Sequence, residues 1–132
     1  MAYNGWMIPD AQRDWLMSVF EPRYPNHKAT HVTQQIDCGK EFPSDAEIVI
    51  VGYTHDPKGI EAFVVSVNGA IYRPDGSIYH LTYSVDEGRA SKESNDAIRE
   101  CGFERIPPIP VETRAFYCAG DAPYITTPLT GI

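Results

Sequence analysis

Two histidines in this chain stand two residues before a threonine, in His31-Val32-Thr33 and His80-Leu81-Thr82. In an extended strand, residues two apart share a face, so each His projects beside its Thr while the residue between them points the other way. The second copy is the cleaner one: His80, Thr82 and Ser84 alternate with the apolar Tyr79, Leu81, Tyr83 and Val85. A strand face built of His, Thr and Ser differs from an ordinary solvated face of Lys and Glu. Two imidazoles suit phosphodiester chemistry without a metal: a neutral one takes a proton from the attacking hydroxyl or water, and a protonated one gives a proton to the leaving oxygen. The threonine hydroxyls add donors for the non-bridging oxygens, where charge builds up in the transition state. One His-x-Thr is a weak pattern and two on strands a moderate one; on spacing alone, a pair of satisfied surface or core histidines stays open.

The elements that must position these residues are legible in outline. Pro9 and Asp10 open a helix, and Trp15, Leu16, Val19 and Phe20 form an apolar stripe expected to face the core before Pro22 closes the segment. Strand chemistry follows over Thr30 to Ile36, Ala46 to Tyr53 and Ile60 to Tyr72, separated by Pro43-Ser44-Asp45, Asp56-Pro57-Lys58-Gly59 and Pro74-Asp75-Gly76. Asn68-Gly69 marks either a two-residue hairpin or a bulge in one long strand. Tyr79 to Val85 is a further strand. Ser91 to Cys101 reads as a second helix, with Ser91 as its N-cap and Gly102 as its stop. Phe103 to Cys118 holds one more strand, kept to an edge by Pro107, Pro108 and Pro110. Residues 1–118 read as a single domain, and 119–132, with little periodicity, as a surface-lying or frayed tail.

Composition bounds the partners. The 132 residues suit one core, and a net charge of −7 argues against gripping long duplex nucleic acid, which relies on clustered Lys and Arg. A phosphate-bearing ligand should therefore be small. No apolar run approaches the roughly 20 residues that span a bilayer, and the N-terminus lacks a signal-peptide pattern, so a soluble, cytoplasmic protein without membrane partners is expected. Cys38, Cys101 and Cys118 form no C-x-x-C pair and read as small buried or half-buried apolar residues. The sequence leaves oligomeric state open.

The paired motifs resemble the signature of the 2H phosphoesterases. The stretch Gly69-Ala70-Ile71-Tyr72-Arg73-Pro74-Asp75-Gly76-Ser77-Ile78-Tyr79-His80-Leu81-Thr82-Tyr83-Ser84, with Glu93-Ser94-Asn95 after it, is similar to the compact branch of that superfamily associated with RNA repair and with phage proteins. The resemblance covers roughly Lys28 to Gly102. It implies an α+β fold: a bilobal antiparallel β-sheet with two His-x-Thr strands facing a central groove, flanked by an N-terminal helix and a second helix. It also implies hydrolysis without metal or cofactor, with His31 and His80 as the acid–base pair and Thr33 and Thr82 as phosphate-holding hydroxyls. Implied substrates are 2′,3′-cyclic phosphates, short oligonucleotides or cyclic oligonucleotide signals. For the last, the implied role is viral counter-defence in the host cytoplasm. The alternatives are a 2′,3′-cyclic phosphodiesterase of RNA ends or sugar cyclic phosphates, and a non-catalytic protein that binds or sequesters a nucleotide.

Around the motifs, Tyr3 and Trp6, near a terminus read as mobile, are candidates to cover the groove, since aromatic rings stack on bases. Lys28, Arg73 and Arg89 are the nearest basic residues; Lys28 and Arg73, with Ser84, complete the expected substrate-binding set. Tyr79 and Tyr83 read as core by alternation. Glu93-Ser94-Asn95 shapes the start of the last helix or touches substrate. His27 and His31 could bind a metal only if they shared a helix, and Pro25 argues against one; His55 reads as a turn residue.

Overall fold

The computed structural model describes residues 2–36, 41–119 and 125–126. It is an α+β fold in which every strand pairing is antiparallel. In chain order the elements are β1 (Ala2–Met7), α1 (Asp10–Val19), β2 (Asn26–His27), β3 (His31–Ile36), β4 (Ile48–Asp56), β5 (Ile60–Val67) and β6 (His80–Val85). A 3-10 turn (Ser91–Glu93), α2 (Ser94–Cys101), β7 (Glu104–Val111), β8 (Arg114–Ala119) and β9 (Ile125–Thr126) complete the described chain. These strands form one sheet in the order β7-β4-β5-β6-β3-β1-β8-β9, with β2 also paired to β6.

β5, at the centre of one half, is buried along all eight residues because both of its faces are covered. On one face Phe63, Val65, Leu81, Tyr83, Val32 and Trp6 pack with Leu16 of α1 into the main core. The Tyr83 hydroxyl donates to the carbonyls of Leu16 and Phe20 and so fixes the helix to the sheet. On the other face Ile60 and Val85 pack with Ala97 of α2.

That clamp sets the rotation of α1 and overrules its expected stripe. Leu16 is buried, with Met17 and Phe20 half-buried against the core, whereas Trp15 and Val19 are about half exposed, at 47% and 52%. The N-terminus also differs from expectation. β1 is an interior strand, paired to β3 on one side and β8 on the other, although Asn4-Gly5 breaks its strand pattern. Asn68-Gly69 is a hairpin turn: both residues have positive φ, and Val67 and Ala70 exchange backbone hydrogen bonds of 2.8 and 3.1 Å.

Between Phe103 and Cys118 there are two strands. The proline-bearing β7 takes the sheet edge on β4, and β8 returns to pair with β1. Ser91 opens the 3-10 turn without capping it; the backbone N–H of Ala90 instead donates to the Glu93 carboxylate at 2.7 Å. The stretch read as a tail contributes β9, which pairs with β8. Cys118 is buried and Cys101 exposed, the latter because the last turn of α2 faces outward; Cys38 lies outside the described residues. No helix among the described residues is long and apolar enough to cross a membrane.

Candidate active site

The two motifs meet at the junction of β3 and β6. Their middle residues, Val32 and Leu81, are register partners and both are fully buried in the core. The flanking His and Thr of each motif therefore turn to the opposite face of the sheet. There His31, Thr33, His80 and Thr82 line one cavity of about 430 Å³, in the usual range for small-molecule sites. Tyr3, Thr30, Arg73, Ser91, Lys92 and Asn95 complete the described wall, which includes no carboxylate.

Gly5 explains how β1 comes close enough to take part. It lies opposite Thr33 on one side and Phe116 on the other, at a register shift in β1–β3 pairing. A Cβ at Gly5 would stand 2.0 Å from the Val32 carbonyl oxygen, so only glycine allows this approach of the two backbones. The space above it is filled by neighbouring rings: Phe116 lies 5.3 Å from His31, and Tyr3 lies 5.6 Å from His31 and 5.7 Å from Phe116. One wall of the cavity is thus aromatic and holds the His31 ring by packing.

The imidazoles are held differently. His80 Nδ1 is 2.9 Å from the Ile78 carbonyl oxygen. A carbonyl only accepts, so Nδ1 carries the proton and the neutral ring keeps its lone pair on Nε2. His31 Nδ1 is 2.8 Å from Thr30 Oγ1, a partner able to donate or accept. Burial away from water lowers the pKa of His31 to about 4, with the neighbouring His80 adding to the effect. His80 is also lowered, first by burial and also by the Arg73 charge, while its bond to Ile78 acts the other way. Both environments therefore favour the neutral imidazole.

Thr82 is tied to the start of α2. Its Oγ1 is 2.8 Å from the Ser94 hydroxyl, and Ser94 is fully buried. That bond sets the Thr82 rotamer and brings Ser91, Lys92 and Asn95 to the cavity rim. Arg73 lies at the other end of β6. Its Nε donates to Ser77 Oγ at 2.6 Å, and its side chain is only 8% exposed.

Of the residues expected to bind substrate, Tyr3 and Arg73 are on the cavity wall, while Trp6, Lys28 and Ser84 are not. Trp6 is the register partner of Val32 and so faces the core, where its Nε1 donates to the Ser44 carbonyl at 3.1 Å. Lys28 is tied toward α1, its carbonyl accepting from Arg13 Nε at 2.7 Å. Ser84 is turned away by a bulge: Thr82 pairs with Ala62 and Ser84 with Glu61, leaving Tyr83 as the extra residue. The parity of β6 changes there, and Ser84 donates to the buried Glu61 carboxylate at 2.7 Å on the core face.

Arg89, also weighed, is occupied by Asp56, Glu93 and the Lys58 carbonyl. His55 pairs with the Tyr24 hydroxyl at 2.6 Å. Among the described residues no three His, Cys, Asp or Glu gather as metal ligands. The wall residues that the sequence did not single out are Thr30, Ser91 and Lys92. Thr30 abuts the first motif, and Lys92 begins the helix after the second, which is the only signal either gives. Comparison of the chain with protein-family models, with curated proteins and with solved structures finds no match.

Proposed function

We propose that this protein is a phosphodiesterase that cleaves a small nucleotide by histidine acid–base catalysis without a metal, a cyclic oligonucleotide signal being the substrate we favour. The observation that carries the reading is the shared cavity of His31, Thr33, His80 and Thr82, assembled around the Val32–Leu81 pair. In this reading β7-β4-β5-β6 and β3-β1-β8-β9 act as two lobes, each supplying one motif to a groove between them.

His80 is the base. Its Nδ1–H is fixed on the Ile78 carbonyl, so Nε2 accepts the proton of the attacking water or ribose hydroxyl as the new P–O bond forms. His31 is the acid, donating its proton to the ribose oxygen whose bond to phosphorus breaks. A negative phosphodiester beside His31 opposes the desolvation and charge effects that lower its pKa, and favours imidazolium. Thr33 and Thr82 donate to the non-bridging oxygens.

Purified protein in EDTA should convert a cyclic dinucleotide or trinucleotide to linear products, and His80→Ala should abolish this while leaving the circular dichroism spectrum unchanged. Turnover confined to RNA with a terminal 2′,3′-cyclic phosphate would reassign the substrate to RNA ends. Recovery of bound, unaltered nucleotide after denaturation would make the protein a sequestering one. Dependence on added metal would overturn the mechanism.

A further inference from the structure

The cavity has an end that the acid–base chemistry does not use. Arg73 sits on the turn leading into β6, opposite Ser77: its backbone N–H donates to the Ser77 carbonyl at 2.7 Å, and Tyr72 bridges to Ile78 beside it. Its backbone is therefore three residues before His80, roughly 10 Å along the chain at the strand rise. The centre of the motifs, the Val32–Leu81 pair, lies one residue further still.

From that position the Arg73 side chain runs back to the cavity wall, nine-tenths buried. Its Nε edge is satisfied by Ser77 Oγ at 2.6 Å, with the Asp75 carboxylate at 3.7 Å. Asp75 is itself engaged by the Ser77 N–H and hydroxyl, at 2.9 and 2.5 Å, and is largely exposed. The two terminal nitrogens of the guanidinium have no acceptor among the described residues. A buried guanidinium with its fork unfilled is costly unless a ligand anion completes it, and a fork of this geometry matches two phosphate oxygens.

The geometry points to a second phosphate subsite at Arg73, so that the substrate carries another phosphate next to the scissile one. This rests on the phosphodiesterase reading for the identity of the central phosphate, and it narrows the substrate class to oligonucleotides, linear or cyclic, over mononucleotide cyclic phosphates. The scissile group is placed by the histidines and threonines around the Val32–Leu81 axis, whereas Arg73 reaches in from beyond His80. Arg73 therefore holds the neighbouring phosphate.

The test is equilibrium binding of two linear dinucleotides, one with a 3′-terminal phosphate and one without, measured in the His80→Ala protein so that neither is consumed. The terminal phosphate should tighten binding on the order of ten- to a hundredfold, as a charge-assisted pair would. Adding Arg73→Met should collapse that ratio toward one. Lys58→Met, an exposed cation at the β4–β5 turn, should leave it intact. If Arg73→Met does not fold, Arg73→Lys keeps the charge without the fork and should lower the ratio several-fold.

A ratio near one before substitution, or one unchanged by the Arg73 variants, would overturn the subsite. Turnover is scored separately with the unsubstituted protein. Binding that discriminates the two ligands, with cleavage of neither, would refute the phosphodiesterase reading and leave the anion subsite standing.

Discussion

Val32 and Leu81 pair across the β3–β6 junction with their side chains in the core. The register breaks beside that pair: the Ala29 backbone N–H donates to the Thr82 carbonyl at 2.7 Å, with Ala29 at φ +56°, so Thr30 and His31 stand between the two pairings with no residue opposite them between Leu81 and Thr82. His31 takes its register partner, Met7, from β1 instead. The four side chains of the two motifs still line one cavity.

The shared cavity predicts which substitutions interact. In double-mutant cycles read by phosphate or nucleotide binding, His31→Gln with His80→Gln should be strongly coupled, with an interaction energy of about 0.5–3 kcal/mol, because both rings line one cavity and one influences the protonation of the other. Either substitution combined with Lys58→Met, an exposed cation at the β4–β5 turn, should be additive. Additivity between the two histidines would mean that they do not act on one ligand.

The depressed histidine pKa values predict a pH signature. A folded-state pKa of about 4 for His31, against 6.5 when unfolded, means that the unfolded chain binds more protons between those limits. Stability from this group is fully present above pH 6.5 and is lost as pH falls toward 4. Melting temperature should therefore drop over that window more steeply than in His31→Gln. Histidine NMR titration should show both rings below the ordinary range in the free protein, and both moving up when phosphate or nucleotide is added. The limbs of kcat/KM, which report the free enzyme, should then lie at lower pH than the corresponding limbs of kcat, which report the enzyme–substrate complex.

Ser84 and Thr82 separate the sequence reading from the structural one. Ser84→Ala removes a donor from the buried Glu61 carboxylate and should cost roughly 1–3 kcal/mol of stability with kcat and KM nearly unchanged. Thr82→Val should do the reverse, lowering kcat on the order of 10²-fold with a small change in melting temperature. Chemical denaturation and steady-state kinetics on the two variants decide this; a kinetic defect in Ser84→Ala would place it back at the site.

Ser94→Ala tests support of Thr82 from α2. Without the 2.8 Å bond the Thr82 hydroxyl can rotate, so kcat should fall about tenfold while KM changes little. Ser94→Thr, which restores a hydroxyl, should recover part of the loss, since it can renew the bond if the buried site accepts a methyl group.

Much of the fold was legible because its signals are local. The strands around His31, Val49, Val64 and Leu81 declare themselves by β-branched and aromatic runs, and Asn68-Gly69 by the positive φ that its turn requires. What was not legible depends on pairing. β1 reads as a terminus because Asn4-Gly5 disfavours a strand in isolation, and the reason for Gly5 is a carbonyl on another strand. Ser84 reads as part of a polar face because a bulge at Tyr83 leaves no mark in alternation. Lys92 and Asn95 reach the cavity only because Ser94 anchors α2 to Thr82.

Gly5 offers the sharpest test of how the aromatic wall holds His31. An alanine there would drive a methyl group to 2.0 Å from the Val32 carbonyl oxygen, a contact the backbone can relieve only by moving β1 away from β3. Overpacking of this kind costs about 1–3 kcal/mol, and here it would also withdraw Tyr3 and Phe116 from the His31 ring. With less packing the ring gains water, so its pKa should rise from about 4 toward 6.5, the value of a hydrated imidazole. Gly69→Ala is the control, since its φ of +87° makes it strained to a similar degree with nothing within 4 Å of the added carbon. It should lower melting temperature and leave the His31 titration where it was. Parallel melting curves and histidine NMR titrations of the two variants separate general destabilisation from a change at the site, and an unmoved His31 pKa in Gly5→Ala would show that β1 does not set the environment of the ring.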